Sequence, residues 1–400
     1  MTTLFIATIC ILLLVAYIFD LSASITKIPS VILLLLLGWT TQQLCTFFDV
    51  ALPDFSSILP ILGTLGLILI VLDGSLELQL NRSKLPLLKS SFLMAIFPLL
   101  IVALGIAFYF YYTQEVSFKN ALTNVIPLCV ISSAIAIPTV KNFSKYTQEF
   151  IIYESSLSDI LGVLFFNFIA LNAVISLQKV GIFFLQLLLI ILVSVLSIFI
   201  LSYLLNRIDH HIKYVPLILI VILIYVVSKE MHLPALVFIL LFGLFLSNID
   251  ELARFKSIRL LKPNSLKAEI QKFKEIVIEA TFLIRALFFI LFGFLIKTED
   301  VFNSQTIVWA TSIVMLIFII RYLFLKMLKV TQASIVYIAP RGLITVLLFL
   351  SIKPADALPL FNNALIIQVI LLSTLFMMFG LMFTKKEVEP ILPNAIEQSE

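Results

Sequence analysis

Apolar runs of about twenty residues recur along almost the whole chain, separated by short stretches that carry charge, Pro or Asn. As a helix, a run of that length crosses roughly 30 Å of hydrocarbon. Thirteen such spans are predicted: Thr3–Phe19, Pro29–Phe47, Ile58–Leu80, Pro86–Tyr112, Ala121–Val140, Glu149–Leu177, Ile182–Asn206, Tyr214–Ser228, Leu233–Ser247, Ile276–Ile296, Ile307–Leu328, Ser334–Ile352 and Ala364–Phe383. The sixth departs from the pattern. Its segment Tyr153-Glu154-Ser155-Ser156-Leu157-Ser158-Asp159-Ile160-Leu161-Gly162 sets two carboxylates at bilayer depth. Ionisable side chains there are costly and rare, and by default they mark an ion pathway or proton relay.

Composition agrees with the pattern. Of 400 residues, 62% are apolar and 12% charged, and no segment has the mixed character that a water-exposed domain needs. The fold class is therefore an all-α polytopic membrane protein whose partner is the lipid bilayer, with nothing that points to nucleic acid. Cys10, Cys45 and Cys129 lie in or beside separate apolar runs without metal-like spacing, so they read as small hydrophobes. No basic residue precedes the first run, which makes it a retained helix rather than a secretory signal.

Charge sets the expected orientation, because cytoplasmic loops hold the excess of Lys and Arg. With the amino terminus outside, the inner loops collect most of the cations, seven of them between Arg254 and Lys274. The outer loops keep Lys119, Lys179, Lys229, Lys297 and Lys353. The carboxyl terminus is then cytoplasmic, and the host membrane is the cell membrane. Three cations, Arg285, Arg321 and Arg341, are left inside spans together with the acids Asp73, Glu154 and Asp159. Opposite charges at depth imply pairing across helices; snorkelling to an interface is the alternative for Arg321, near the end of its span.

A repeat is also visible. Pro29 and Gly38 of Ile28-Pro29-Ser30-Val31…Gly38 recur at the same spacing in Leu233-Pro234-Ala235-Leu236…Gly243. An odd number of spans separates the copies, so they face opposite ways, as in secondary transporters built from two inverted six-helix repeats. Two more stretches correspond. Ile131-Ser132-Ser133-Ala134-Ile135-Ala136-Ile137-Pro138 in span five and Ile338-Ala339-Pro340-Arg341-Gly342-Leu343-Ile344-Thr345 in span twelve both interrupt apolar runs with Pro and polar residues. That favours a broken helix at membrane depth, where freed peptide groups face an ion; taken singly, each also fits a simple proline kink.

Outside the spans there is little chemistry. Asn248 to Glu275 alternates apolar and basic residues, which suits a solvated linker or an amphipathic helix on the inner leaflet. His210 and His211 sit in a cytoplasmic loop and read as ordinary surface histidines. The tail after Phe383 shows no regulatory domain.

On the sixth span Glu154 and Ser158 share a helical face, while Asp159 is turned by about 100° from Ser158. One carboxylate is thus free to pair with an arginine while the other faces a cleft. A carboxylate in a partly dry cleft holds a proton readily, because desolvation disfavours its charged form, and it can trade that proton for a hard alkali cation. Competition for one such group suffices to couple two fluxes.

The chain resembles the monovalent cation/proton antiporters, the sodium/proton exchanger superfamily. Glu154-Ser155-Ser156-Leu157-Ser158-Asp159 is similar to that family's Glu-Ser-Leu-Leu-Asn-Asp signature, and Ala339-Pro340-Arg341-Gly342-Leu343-Ile344 to its Gly-Leu-Arg-Gly-Ala-Ile element. Leu72-Asp73-Gly74-Ser75-Leu76-Glu77-Leu78 resembles its acidic Phe-Glu-Ala-Gly-Leu-Glu-Leu stretch. The resemblance implies that Asp159 takes proton and cation in turn, with Ser158, Ser132, Ser133 and Asp73 around it. It implies that Glu154 pairs with Arg321 and that Arg341 offsets the half-helix ends, with Arg285 the competing partner. It also implies a homodimer and one antiporter domain over residues 1–400. Scaffold helices would lie within 3–47 and 214–247, core helices within 58–177 and 276–383, and 182–206 would link them. No cofactor is expected beyond the transported Na⁺ or K⁺ and H⁺.

Three positions depart from the family pattern. Ser158 stands where electroneutral exchangers have Asn and electrogenic ones Asp, so one carboxylate remains and electroneutral exchange is favoured. Ser132-Ser133 replaces Thr-Asp, which deprives Arg341 of a countercharge that Asp73 would have to supply. Arg285 stands where electrogenic relatives carry a lysine. Two other classes compete with an antiporter. A sodium-coupled organic anion symporter would use Arg341 or Arg285 to hold a carboxylate. An intramembrane enzyme finds only three His near loops, no Gly-x-Gly-Asp element and no metal spacing, so no enzyme is expected.

Overall fold

The computed structural model describes residues 2–26, 28–49, 55, 57–78, 80, 84–172, 177–207, 213–252 and 263–384. His210, His211, the Arg254–Lys262 part of the basic linker and the tail after Thr384 lie outside the described residues. Within them the secondary structure is helical, with no strand. In chain order the helices are α1 (Thr2–Thr26), α2 (Ser30–Phe47), α3 (Leu59–Glu77), α4 (Leu85–Thr113), α5 (Phe118–Cys129), α6 (Ser133–Thr139), α7 (Lys145–Leu171), α8 (Leu177–Arg207), α9 (Tyr214–Glu230), α10 (Ala235–Ser247) and α11 (Ile249–Leu252). They continue with α12 (Pro263–Leu295), α13 (Thr298–Val301), α14 (Ser304–Met327), α15 (Ala333–Tyr337), α16 (Leu343–Leu350) and α17 (Asn363–Phe383).

Eight stretches among the described residues are long and apolar enough to cross a bilayer, the interrupted Phe118–Thr139 counted as one. Shorter apolar helices cover Ile6–Ser22 and Ala235–Ser247. The outward face of α8 carries exposed Leu185, Leu188, Leu192 and Leu196, which only a lipid or protein neighbour would shield from water. This is a multi-pass membrane protein. Polar side chains start several helices: Ser117, Ser144, Asn303 and Asn362 each accept a backbone N–H of the first turn.

Two helices are broken, for reasons the sequence supplies. Pro340 lacks an N–H and disfavours helical backbone at Ala339, so the chain runs non-helically from Ile338 to Gly342 between α15 and α16. Between α5 and α6 the break covers Val130 to Ser132, three residues past Pro127. The breaks touch: the Ser132 N–H donates to the Pro340 carbonyl at 2.9 Å.

Glycines fix how the helices meet. A Cβ on Gly38 of α2 would come within 2.1 Å of the Ile290 carbonyl oxygen of α12, and one on Gly293 of α12 within 2.3 Å of the Leu35 carbonyl oxygen of α2. The α2 and α12 backbones therefore interlock. Gly243 of α10 is equally tight against Ser75 of α3. On the other side of the molecule α4, α5, α7, α14 and α17 pack around the two breaks.

Candidate functional site

The crossing of the two broken helices leaves backbone groups without helical partners in a place that water does not reach freely, and each needs a protein partner. Arg341, 3% exposed, supplies several. Its Nε donates to the Leu128 carbonyl at 2.8 Å, Nη1 to Ala339 at 2.8 Å and Nη2 to Cys129 at 3.2 Å. The first and last of these carbonyls close the C-terminal end of α5, where the helix dipole gathers negative charge, and that of Ala339 lies in the second break, two residues past α15. The side chain thus meets dipoles rather than a carboxylate. Its partners are these carbonyls and not Asp73, the substitute countercharge expected from the sequence. The Arg341 N–H is taken by Ser373 Oγ of α17 at 3.0 Å.

A second arginine joins three elements. Arg321 of α14 makes a bidentate ion pair with Glu154 of α7, Nη1 to Oε1 and Nη2 to Oε2, the latter at 2.8 Å. Its Nε and Nη2 also donate to the Ile335 carbonyl of α15 at 3.0 and 2.8 Å. Both residues are buried, so Arg321 does not snorkel. Arg285 is elsewhere: its Nη2 lies 3.1 Å from Asp20 Oδ1 of α1, which also accepts the Ser30 hydroxyl of α2 at 3.2 Å. Arg321, not Arg285, is therefore the partner of Glu154.

Asp159, 1% exposed, has no arginine. Its Oδ2 accepts the Ser133 hydroxyl at the start of α6, and Ser133 adds its backbone N–H. Oδ1 is buried with no hydrogen-bond partner. Ser158, one residue earlier, uses its oxygen otherwise, accepting the Ile131 N–H of the first break at 3.0 Å. It borders a narrow cavity lined by Met94, Pro98, Leu99, Ile317 and the two arginines. Ser132 stands beside Gly342 with its hydroxyl unpartnered. Asp73 lies on α3 one residue before Gly74, which touches Ser156, and Asp73 Oδ1 is likewise unpartnered.

The structure thus gathers Asp159, Ser158, Ser132 and Ser133 at the crossover and sets Asp73 on the neighbouring α3. A buried polar atom without a partner costs about 1–3 kcal/mol. Several such oxygens around Asp159, one of them on the second acid Asp73, make a place where a hard cation or a proton resolves the deficit. Ser156, Thr345, Ser373 and Asp20 were not singled out from the sequence. Only Ser156 and Thr345 had a signal, as hydroxyls inside the two motifs already quoted. Among the described residues no cluster of three or more His, Cys, Asp or Glu is placed to hold a metal ion.

The family model described as "Sodium/hydrogen exchanger, transmembrane" matches residues 9–385. Two solved structures of the sodium proton antiporter MjNhaP1 from Methanocaldococcus jannaschii share the fold. The one determined at pH 8 superposes with a TM-score of 0.70 at 19% identity, covering 94% of this chain and 99% of that one. The other, from an electron-microscopy map, gives 0.71 at 19% identity, covering 98% and 100%. No curated protein sequence matches the chain.

Proposed function

The chain belongs to the sodium/hydrogen exchanger family, which makes it a transporter and not an enzyme, and on that premise we propose that it exchanges Na⁺ or K⁺ for H⁺ by competition at Asp159. The observation that carries this reading is the state of one side chain. Asp159 is buried without a countercharge, one oxygen held by Ser133 and the other unpartnered. Such a group is stable when it holds a proton or a cation and unstable when it holds neither.

Glu154, Arg321 and Arg341 play no direct part in binding. They hold α5, α7, α14 and α15 together around the crossover, so the acid moves with a rigid body. The interlocked glycines support a different division from the one expected from the sequence. They tie α12 to α2 and α10 to α3, and on that ground we read spans three and ten with the scaffold and α4 to α7 with α14 to α17 as the mover. The Gly74–Ser156 contact then lies on the sliding seam. We propose thirteen crossings in two inverted repeats, amino terminus out and carboxyl terminus cytoplasmic, in the cell membrane as a homodimer. Exchange is electroneutral, because one carboxylate serves both ions.

An organic anion symporter needs a cation at depth with room for a substrate carboxylate. Arg341 is spent on three carbonyls and Arg285 on Asp20, which leaves that reading without a ligand. Proton flux in everted vesicles on adding Na⁺, K⁺ or Li⁺ tests the proposal, with wild type responding and Asp159→Asn silent. Wild-type vesicles that answer no cation would overturn it. If exchange is electroneutral, clamping the potential with a lipophilic ion leaves unchanged the limiting ratio of the cation and proton gradients.

A further inference from the structure

We infer that Ser156 and Thr345 complete, with Ser132, the oxygen shell that receives the cation beside Asp159. The inference rests on the exchanger reading above and adds ligands that neither the motif nor a charge argument supplies. Among the described residues, seven buried side-chain oxygens lack a hydrogen-bond partner. Ser202 lies on α8, and Gln368, nearer the start of α17 than the Ser373 contact, reaches the Asp300, Val301 and Asn303 carbonyls instead. The other five are Asp73, Ser132, Ser156, Asp159 and Thr345, carried by α3, the first break, α7 and α16, the elements that meet at the crossover. Unsatisfied buried oxygens are rare in proteins, and their concentration here points to a ligand.

Local packing brings the hydroxyls to the site. Ser156 and Asp159 are three residues apart on α7 and share a face. Across from them α3 presents Gly74, where a Cβ would stand 2.9 Å from Ser156 Oγ. At the other end Gly342 abuts Ser132, with a Cβ position 2.7 Å from Ser132 Oγ. Thr345 follows Gly342 by three residues, so it lies over the same side of α16. The α3-facing side of that helix is taken by Leu343 and Leu347, which meet Gly66 and Gly63. Thr345 therefore points away from α3, toward α5 and α7, the other helices this one packs against, and it is 1% exposed.

Neutral hydroxyls suit a carrier with two alternative cargoes. A hydroxyl oxygen offers a lone pair to an alkali ion and carries no charge of its own. The shell adds no charge, so a single carboxylate sets the charge of both loaded forms. The number and reach of the hydroxyls then set which alkali ion fits.

The test uses the full chain in everted vesicles, with half-saturating concentrations read for Na⁺, K⁺ and Li⁺. S156A and T345V each lose one neutral ligand, and the half-saturating concentration of the preferred ion rises about tenfold, while T345S restores it. The ratio among the three ions shifts as well; that readout does not depend on how much protein folds, and a merely structural role leaves it fixed. Unchanged ratios in both variants, or a T345S that behaves as T345V, would overturn the inference while leaving the exchanger reading standing. A wild type silent to all three ions would instead defeat that reading.

Discussion

Ser158 Oγ accepts the amide proton of Ile131 at 3.0 Å, so the serine of the Glu-Ser-Ser-Leu-Ser-Asp motif ties α7 to the break between α5 and α6. Both groups are buried. Ser158→Ala leaves the Ile131 N–H unsatisfied and is expected to cost about 1–3 kcal/mol of stability. Ser158→Asn keeps an acceptor and recovers part of it. Thermal unfolding in detergent reads the loss, and the half-saturating cation concentration of the folded fraction is expected to stay within about twofold.

The Glu154–Arg321 pair is held on all sides by protein, so removing one partner strands a charge. Glu154→Gln is expected to destabilise the chain by about 3–5 kcal/mol, and Glu154→Leu combined with Arg321→Met to recover most of it. Melting temperatures of the single and double variants decide the point. A single variant as stable as wild type would show that the pair is dispensable.

Arg341 reaches three carbonyls with three nitrogens, a fork that lysine cannot copy. Arg341→Lys is expected to lower the maximal flux by at least about tenfold, since two or more charge-assisted bonds are lost. Half-saturation for cations is expected to change less, because the guanidinium nitrogens are spent on backbone carbonyls. Initial rates across a cation series separate the two effects.

If proton and cation compete for one carboxylate, as proposed, the direction of the pH response is fixed. More cation favours the cation-loaded form at a given pH, so the half-maximal pH of flux moves down as the cation is raised. Above half-saturation, each tenfold increase is expected to shift it by about one pH unit. A half-maximal pH independent of cation would mean that the two cargoes bind different groups.

Gly38 is expected to tolerate no larger residue. Its Cβ would stand 2.1 Å from the Ile290 carbonyl oxygen, so Gly38→Ala must part α2 from α12 and costs about 1–3 kcal/mol. Gly105 of α4, which meets nothing within 4 Å, serves as the control, and Gly105→Ala should be neutral or slightly stabilising.

The parts of this design that were legible in the sequence are those that break an apolar pattern. Glu154 and Asp159 stand out as charges in a hydrophobic run, and Pro340 with Arg341 and Gly342 as a disruption of another. Pairing was less legible, because spacing along one helix says nothing about which neighbour faces it. Arg321 and Arg285 were both candidates for Glu154, and only tertiary packing sends Arg285 to Asp20. Neutral groups were the least legible. Ser156 and Thr345 resemble any hydroxyl in a membrane helix until their lack of a partner is seen. The interlock of Gly38 with Gly293 was hidden for the same reason: half of the motif repeat was visible, but its partner sits on a helix far away in sequence.

The carbonyl cage around Arg341 has an electrical consequence. Glu154 and Arg321 cancel, and Arg341, lacking a carboxylate of its own, balances an ionised Asp159, so these four side chains sum to zero when Asp159 is bare and to one positive charge when a proton or an alkali ion is bound there. In a one-for-one exchanger the membrane voltage then acts on both loaded strokes and on no vacant one, with about 2.3 kcal/mol per 100 mV for a charge that crosses the whole field. It hastens the stroke in one direction and retards the return by the same work, so a polarised cell biases where the carrier waits without altering how far the gradients can be driven.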